Sequence, residues 1–313
     1  MRTDDEIAPP ATIALIDRLL AHRLLIIIGK GGAGRSSISA ALALIAAGRG
    51  SRVLLIEADL RTPVAAAYGK HPGFEPAELR PNLFAMALRG QESLEEYLSF
   101  VVPRPILRAV FATAVYQYFV QAAPAVRELT MMGKVYHEIE RRAAPPWDLV
   151  IFDAPASGQA LSMIQMPFVA RETFGSGMAG SEASAIGRLL GNEAKCAIVA
   201  VTTTESLAIA ETLECHRSLK QLELKLAATF FNRTSSAAFD GADITRMAAL
   251  PGASRELDDL IYLARAELKR RTRERRAQGV LRRTLGCPVI AVSEHCGLAD
   301  ADLFDALAAQ LTA

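Results

Sequence analysis

The chain has 313 residues, of which 51% are hydrophobic and 22% are charged, and its formal net charge is +1. A chain of this length and apolar content can bury a large core. Its near-neutral charge provides no general attraction to nucleic acid or to anionic lipid. No apolar run reaches the roughly 18 residues of a membrane span, and the acidic N-terminus lacks the apolar core of a signal peptide. We therefore expect a cytoplasmic protein without a nucleic-acid partner.

The first predicted elements surround a glycine-rich loop. A helix is predicted at residues 12–21 and a buried strand at residues 24–28, because the strand is a continuous apolar run. The loop follows as I-I-I-G-K-G-G-A-G-R-S-S over residues 26–37, and the alanine- and leucine-rich residues 37–47 predict a helix. A strand, a glycine-rich turn and a helix in this order are typical of phosphate-binding loops.

The loop predicts phosphate binding with one unusual substitution. In the pattern G-x-x-x-x-G-K-[S/T], backbone N–H groups surround the phosphates, the lysine reaches the terminal phosphates and the hydroxyl binds magnesium. Gly29, Gly34 and Ser36 match this pattern, but Arg35 replaces the lysine. An ordinary glycine turn is the alternative. Phosphate would lie at the helix N-terminus, bound by Gly29, Gly31, Gly32, Ala33, Gly34, Arg35, Ser36 and Ser37.

Two later strands end in carboxylates. Residues 52–59 read R-V-L-L-I-E-A-D and end at Asp59, and the strand in W-D-L-V-I-F-D-A-P-A-S-G-Q-A-L ends at Asp153. The carboxyl ends of parallel strands meet at one edge of a sheet, so Gly29, Asp59 and Asp153 should converge there. Oxygen ligands suit magnesium. We predict a magnesium site from Ser36, Asp59 and Asp153, partly through water, although Asp59 in the alternative merely ends its strand.

Residues 91–142 interrupt the alternation of strands and helices. Their apolar residues recur at three-to-four spacing, and Pro103 and Pro105 divide the segment. This pattern predicts a helical insert on one side of the sheet. Apolar side chains such as Leu94 and Phe100 would either line a groove for an apolar partner helix or pack in the core of the protein itself, which is the commoner arrangement.

The remaining residues complete an α/β pattern. A strand at residues 197–201 precedes T-T-T-E-S-L-A-I-A-E-T, and the next strand ends near Asn232. The charged run at residues 267–276 predicts one long amphipathic helix with a solvated face, followed by a strand at 288–293 and a helix at 303–311. The fold class is therefore predicted as α/β with a doubly wound, mostly parallel sheet, in a single domain of residues 1–313.

The early lysine gives the chain a family resemblance. Lys30 follows Gly29 directly, as in the deviant phosphate loop K-G-G-x-G-K-[S/T], and the chain resembles ArsA-type ATPases on this basis. These are the arsenite-pump and tail-anchored-protein targeting ATPases. The segment D-A-P-A-S-G-Q-A-L after residue 152 is similar to the family's D-T-A-P-T-G-H-T-L. Residues 122–135 resemble a bacterial branch, some members of which work as pairs of unlike subunits.

The resemblance implies ligands, partners and residue roles. ATP or ADP with Mg²⁺ would bind the loop, and the protein would act as a homodimer or as a heterodimer with a paralogous ATPase. Lys30 would reach across the dimer to the partner's nucleotide, and Asp59 would position the attacking water. Asn232 would read the adenine edge with its amide, which offers a donor and an acceptor, or it is a plain turn asparagine. A membrane protein or another hydrophobic client would be the further partner.

Two departures from the family weaken the expectation of hydrolysis. Asp59 is followed by Leu60, Arg61 and Thr62 instead of P-A-H or P-A-S, and the planar fork of Arg35 does not reproduce a compact ammonium. Phosphoryl transfer depends on such positioning, so we expect slow or absent turnover at this chain's own site. Either the chain supplies Lys30 to an intact paralogue, or it is a weakly active homodimer. A non-catalytic nucleotide-binding scaffold or regulatory subunit is the competing class.

Overall fold

The fold is organised around an eight-stranded sheet with the strand order β3-β4-β2-β5-β1-β6-β7-β8. A computed structural model describes residues 9–59, 61–101, 103, 106–107, 111, 113, 124–141, 146–175, 177–235, 240–250 and 254–313. The strands are β1 Leu24–Gly29, β2 Val53–Glu57, β3 Ala77–Arg80, β4 Leu83–Ala87, β5 Leu149–Asp153, β6 Cys196–Thr202, β7 Leu226–Thr234 and β8 Val289–Ser293. β3 is antiparallel to β4 and every other pairing is parallel. The predicted doubly wound α/β class is confirmed.

The central strand β1 lies between β5 and β6. Ile26 is aligned with Phe152 of β5 and with Ile198 of β6. Side chains alternate between the two faces of a strand, and accordingly Leu25 and Ile27 join one core cluster while Ile26 joins the other. Because helices cover both faces, every position of this strand is apolar and buried.

The helices form a layer on each face of the sheet. Those on the first face are Pro9–Leu20, Arg35–Gly48, Pro63–Ala67 and Asp300–Thr312. Those on the second face are Pro124–Tyr136, Ser157–Phe174, Met178–Leu190, Ser206–Gln221 and Arg255–Leu285. Two further helices are Gly90–Val101 and Gly241–Ala248. Within the described ranges, no helix has both the length and the apolarity needed to cross a bilayer.

The predicted insert is helical wherever the structure describes more than isolated residues of it. Helix Gly90–Val101 packs beside helix Pro124–Tyr136, which continues into a π-helical turn at His137–Arg141. Leu94 is buried among apolar neighbours of the insert, whereas Phe100 is 57% exposed. Residues 102, 104–105, 108–110, 112, 114–123 and 142 lie outside the described residues. The single-domain boundaries and the groove therefore stay predictions.

Candidate nucleotide-binding site

The glycine-rich loop connects β1 to helix Arg35–Gly48 through positions that require glycine. Gly29 has φ +152°, and a Cβ there would lie 2.2 Å from the carbonyl oxygen of Val201. Gly34 has φ +94°, and its Cβ would lie 2.1 Å from Nδ2 of Asn232. At Gly31 and Gly32 a Cβ would have no atom within 4 Å. The first two glycines thus permit close packing of the loop, and the other two face open space.

The helix after the loop begins without a side-chain cap. Gly34 is its N-cap and has no side chain to accept a hydrogen bond from the first turn. The N–H groups of Arg35, Ser36 and Ser37 belong to this first turn, where a helix carries unpaired donors and the positive end of its dipole. This geometry suits an anionic phosphate.

The structure brings Ser36 and Asp153 together. Ser36 Oγ donates to Asp153 Oδ2 at 2.6 Å, and Ser39 Oγ lies 3.4 Å from Asp153 Oδ1. Asp153 is 3% exposed, and burial raises its pKa to about 6 against the opposing effects of Ser36, Arg35 and Ser39. A hydroxyl and a carboxylate at the end of a phosphate loop are the oxygen ligands that Mg²⁺ uses. These two residues therefore fit a magnesium ion bound with nucleotide.

Arg35 has a partner within the protein. One Nη of its guanidinium donates to the carbonyl oxygen of Ala154, the residue that follows Asp153. Its positive charge also acts on both Asp59 and Asp153, since it lowers the pKa of each carboxyl. The arginine at the usual lysine position therefore links the phosphate loop to the segment after β5.

Asp59 lies at the same edge of the sheet and is held by Arg61. Its Oδ1 accepts from the backbone N of Arg61 at 2.9 Å and from Nε at 3.3 Å, and its Oδ2 accepts from Nη2 at 3.0 Å. These hydrogen bonds hold the pKa of Asp59 below its usual range. The carboxylate predicted to position water is thus bonded to the arginine of its own loop.

Glu57 is a site residue that the sequence analysis did not identify. It is fully buried at the end of β2 and is aligned with Asp153 across the sheet. Its carboxylate accepts from the backbone N of Val64 at 2.8 Å and of Ala65 at 3.1 Å. Burial raises its pKa to about 7. The available signal was a lone acidic residue inside the apolar run of R-V-L-L-I-E-A-D.

Lys30 contacts a residue of its own chain. Its Nζ donates to Glu205 Oε2 at 2.7 Å, and its side chain is 25% exposed while that of Glu205 is 61% exposed. This bond is the main cause that lowers the pKa of Glu205. Glu205 is the acidic residue of the T-T-T-E-S segment after β6, so the early lysine connects the phosphate loop with that segment.

Asn232 supports the phosphate loop from β7. Its side chain is buried, and Nδ2 donates to the carbonyl oxygen of Ala33 at 2.9 Å. The same nitrogen occupies the space that a Cβ on Gly34 would need. The observed contact is therefore with the loop, and the adenine role of Asn232 stays a prediction.

An open cavity of about 710 Å³ lies beside the loop. Ligand pockets of this size are common, since most enclose roughly 300–1,000 Å³. One wall is the phosphate loop, a second is the segment after β2, and Arg233 and Asp300 complete the lining. The lining residues are Gly31, Gly32, Gly34, Arg35, Ser36, Ser37, Asp59, Arg61, Pro63, Ala66, Ala67, Arg233 and Asp300. Of the predicted residues, Gly29, Lys30, Ala33, Asp153 and Asn232 lie outside this lining.

A known family matches the part of the chain that contains the phosphate loop, Asp59 and Asp153. The sequence model of the anion-transporting ATPase family matches residues 22–180. ATPase BagA of Mycobacterium tuberculosis is 28% identical over 241 residues, which cover 74% of this chain and 71% of that protein. The arsenical pump-driving ATPase of Acidiphilium multivorum is 26% identical over 220 residues, which cover 64% of this chain and 37% of that protein.

Proposed function

Because the chain belongs to the family of anion-transporting ATPases, we propose that it binds ATP or ADP with Mg²⁺ at residues 29–37. The observation that supports this most is the 2.6 Å hydrogen bond between Ser36 and Asp153 at the end of the phosphate loop. These oxygens would hold the magnesium ion, and the helix N-terminus would hold the phosphates. Bound nucleotide supplies a terminal phosphate whose contacts order loops that relax once it is removed.

Calorimetric titration with ATP and with ADP tests nucleotide binding. We expect both to bind in the presence of Mg²⁺, and Ser36→Ala to weaken the magnesium-dependent part of the affinity. Ser99→Ala is a suitable control because Ser99 lies on the insert helix and its hydroxyl bonds only a nearby carbonyl among the contacts described. Failure of the unmodified chain to bind either nucleotide would contradict the proposal.

We further propose that hydrolysis at this chain's own site is slow or absent. Arg35 replaces the lysine of the pattern, and its guanidinium donates to Ala154. Phosphoryl transfer needs a positioned charge on the terminal phosphate, and the planar guanidinium of Arg35 does not reproduce the compact ammonium of lysine. Rapid ATP turnover by the purified chain alone would exclude this proposal and would identify an independent ATPase.

The proposed assembly is a dimer whose shape depends on nucleotide. One version is a homodimer, and the other pairs this chain with an intact paralogue to which it supplies Lys30. ATP turnover should be measured with the chain alone and together with its closest genomic paralogue. In the paired version Lys30→Ala abolishes turnover by the reconstituted complex. Lys225→Ala is the control, since Lys225 also pairs with a glutamate, Glu193, at 2.8 Å but is distant from the loop.

A nucleotide-binding scaffold or regulatory subunit is the second candidate function. The hydrogen bond that occupies Arg35 favours it, because a site that only binds nucleotide does not need this group on the reacting phosphate. Binding without turnover, both alone and with the paralogue, would support this candidate. Turnover that appears only with the paralogue would support the paired ATPase.

Two classes of process are candidates for what nucleotide binding drives. Relatives are named arsenical pump-driving ATPases, which makes anion transport one candidate, and a membrane protein or hydrophobic client is the other. The exposed Phe100 and Ile106 of the insert are available to such a client. Co-purification of a membrane peptide would favour a hydrophobic client over anion transport. If the peptide no longer co-purifies with the Phe100→Ser variant, the client contacts the insert.

A further inference from the structure

Three arginines line the cavity beside the phosphate loop, and they differ in how firmly they are held. Arg35 is half-buried and bonds a backbone carbonyl. Arg233 belongs to β7, where its carbonyl oxygen accepts from Arg270 at 2.9 Å; its side chain is exposed, and its charge acts on Glu205 of the segment after β6. The side chain of Arg61 is 87% exposed, and its partner Asp59 is itself 39% exposed. Exposed ion pairs contribute little stability and exchange partners readily.

The position of Arg61 in the cavity suits a contact with the terminal phosphate of a bound nucleotide. Backbone N–H groups of a phosphate loop hold the inner phosphates, and the terminal phosphate projects toward the strand ends that carry the magnesium ligands. Arg61 follows β2 and lines the same cavity as the loop. A guanidinium matches phosphate oxygens with two parallel hydrogen bonds, as it matches a carboxylate, and a terminal phosphate carries more negative charge than one carboxylate.

Release of Arg61 would also change Asp59. The carboxylate now accepts three hydrogen bonds from this one arginine. Two of them come from the guanidinium, and they reduce the negative charge that Asp59 offers to Mg²⁺ or to a water molecule. If the guanidinium moves away, Oδ2 loses its donor, while the bond from Arg61 N to Oδ1 still holds the carboxylate in place.

We propose that Arg61 distinguishes ATP from ADP, because its guanidinium exchanges Asp59 for the terminal phosphate and thereby frees the Asp59 carboxylate. This inference rests on the proposed nucleotide binding. It concerns Arg61 in the loop that follows β2 in this chain.

The test is calorimetric titration of the full chain with Mg²⁺ and either ADP or a non-hydrolysable ATP analogue. We expect the unmodified chain to prefer the analogue. In Arg61→Ala the affinity for the analogue should fall about 10- to 100-fold, the range of a charge-assisted hydrogen bond, while the affinity for ADP changes less than about threefold. The matched control is Arg246→Ala, since Arg246 is 75% exposed, pairs with a nearby aspartate and lies outside the cavity lining.

A double variant separates direct contact from charge shielding. Removal of Arg61 leaves Asp59 uncompensated, and its charge alone could repel the phosphate. In the Asp59→Asn background, Arg61→Ala should still reduce the preference for the analogue. The inference is overturned if the ADP and analogue affinities fall equally, if their ratio is unchanged, or if the effect disappears in Asp59→Asn. A parent chain that binds neither nucleotide overturns the proposed function as well, whereas the other results leave nucleotide binding intact.

Discussion

At the scale of single residues, the site is built from polar groups that each have a specific neighbour. Asp153 remains buried because Ser36 and Ser39 donate to it, and a buried carboxylate without such partners would be costly. Glu57 is stabilised differently, by two backbone N–H groups at the start of helix Pro63–Ala67. The wall of the cavity that follows β2 therefore depends on a buried carboxyl whose pKa lies near neutrality.

The first prediction concerns the pH dependence of stability. The pKa of Glu57 is about 7 in the folded chain and 4.5 in its unperturbed form, so the folded chain binds more protons between these values. The free energy of unfolding should then fall as pH rises from about 5 to 8, with a contribution of up to about 3 kcal/mol from this residue. Glu57→Gln should reduce this change of the unfolding free energy with pH. Urea unfolding at a series of pH values, in EDTA and without nucleotide, measures that free energy.

Glu78 provides the control for this experiment. It is exposed on β3, so Glu78→Gln should leave the pH dependence unchanged. Asp153, whose pKa is about 6 in the folded chain, contributes with the same sign and remains in both variants. An identical slope in Glu57→Gln and the unmodified chain would show that Glu57 ionises normally.

The second prediction restores the common lysine of the phosphate loop. In Arg35→Lys a compact ammonium replaces the guanidinium, and the hydrogen bond to Ala154 is lost. If Arg35 limits hydrolysis, ATP turnover should increase by at least about tenfold, because the terminal phosphate regains a positioned charge. Arg49→Lys at the other end of the same helix is the control, since Arg49 pairs with Asp17. Equal turnover in the two variants would show that Arg35 does not limit hydrolysis.

The sequence predicted those site residues whose role follows from local pattern. Ser36 and Asp153 were identified from a glycine loop and a strand end, and the structure places them in contact. The contacts of Asn232 with Ala33 and of Lys30 with Glu205 join residues about 200 and 175 positions apart. Neither has a local signature, because the pairing follows from the order of the strands in the sheet.

At the scale of elements, the two strands that follow β2 along the chain, β3 and β4, were not predicted. β3 has four residues, A-E-L-R, and β4 has five, L-F-A-M-A. β3 is too short for a reliable periodicity, and the apolar run of β4, although as long as that of β2, ends in no recognisable motif. Asn82 between them adopts φ +64°, which gives a tight turn. The long helix Arg255–Leu285 was predicted from its charge pattern. Its buried Glu274 bonds Ser235 after β7, a contact that the pattern did not reveal.

The third prediction concerns an ion network inside the helical insert. Lys134 Nζ lies 2.7 Å from Glu96 and 3.2 Å from Glu138, and the lysine side chain is 1% exposed. Glu138 also accepts from Trp147 Nε1 at 3.0 Å. Lys134→Met would leave two carboxylates without this cation, so we expect the free energy of unfolding to fall by about 3–5 kcal/mol. Denaturant unfolding measures it.

A lysine that pairs with another glutamate of the insert is the matched control for Lys134. Lys195 pairs with Glu140 at 2.6 Å, but its side chain is 46% exposed. Lys195→Met should therefore change the free energy of unfolding by no more than about 1 kcal/mol. Similar losses in the two variants would mean that burial does not govern the contribution of Lys134.

At the scale of the whole molecule, contacts from several strands converge on one sheet edge. β1 supplies the phosphate loop, β2 leads to Asp59, β5 ends at Asp153, and β7 contributes Asn232. The helix Arg255–Leu285 reaches the same edge, because Arg270 donates to the carbonyl of Arg233 and pairs with Glu294 at 2.7 Å. The end of β7 and the residue after β8 are thus tied to the long helix by direct hydrogen bonds and an ion pair at this edge, and Asn232 of β7 in turn bonds the phosphate loop.

The last prediction tests whether the Lys30–Glu205 pair opposes dimer formation. In the proposed dimer Lys30 reaches the partner's nucleotide, so its bond to Glu205 must break first. Glu205→Gln weakens that bond and should tighten the nucleotide-dependent dimer by about two- to fivefold, the range of an exposed ion pair. Sedimentation with Mg²⁺ and a non-hydrolysable ATP analogue measures the affinity of the dimer.

The control is Glu193→Gln, which alters the exposed pair with Lys225 and should not change the affinity of the dimer. If Glu205→Gln weakens the dimer, Glu205 itself belongs to the interface and the pair does not act as a restraint.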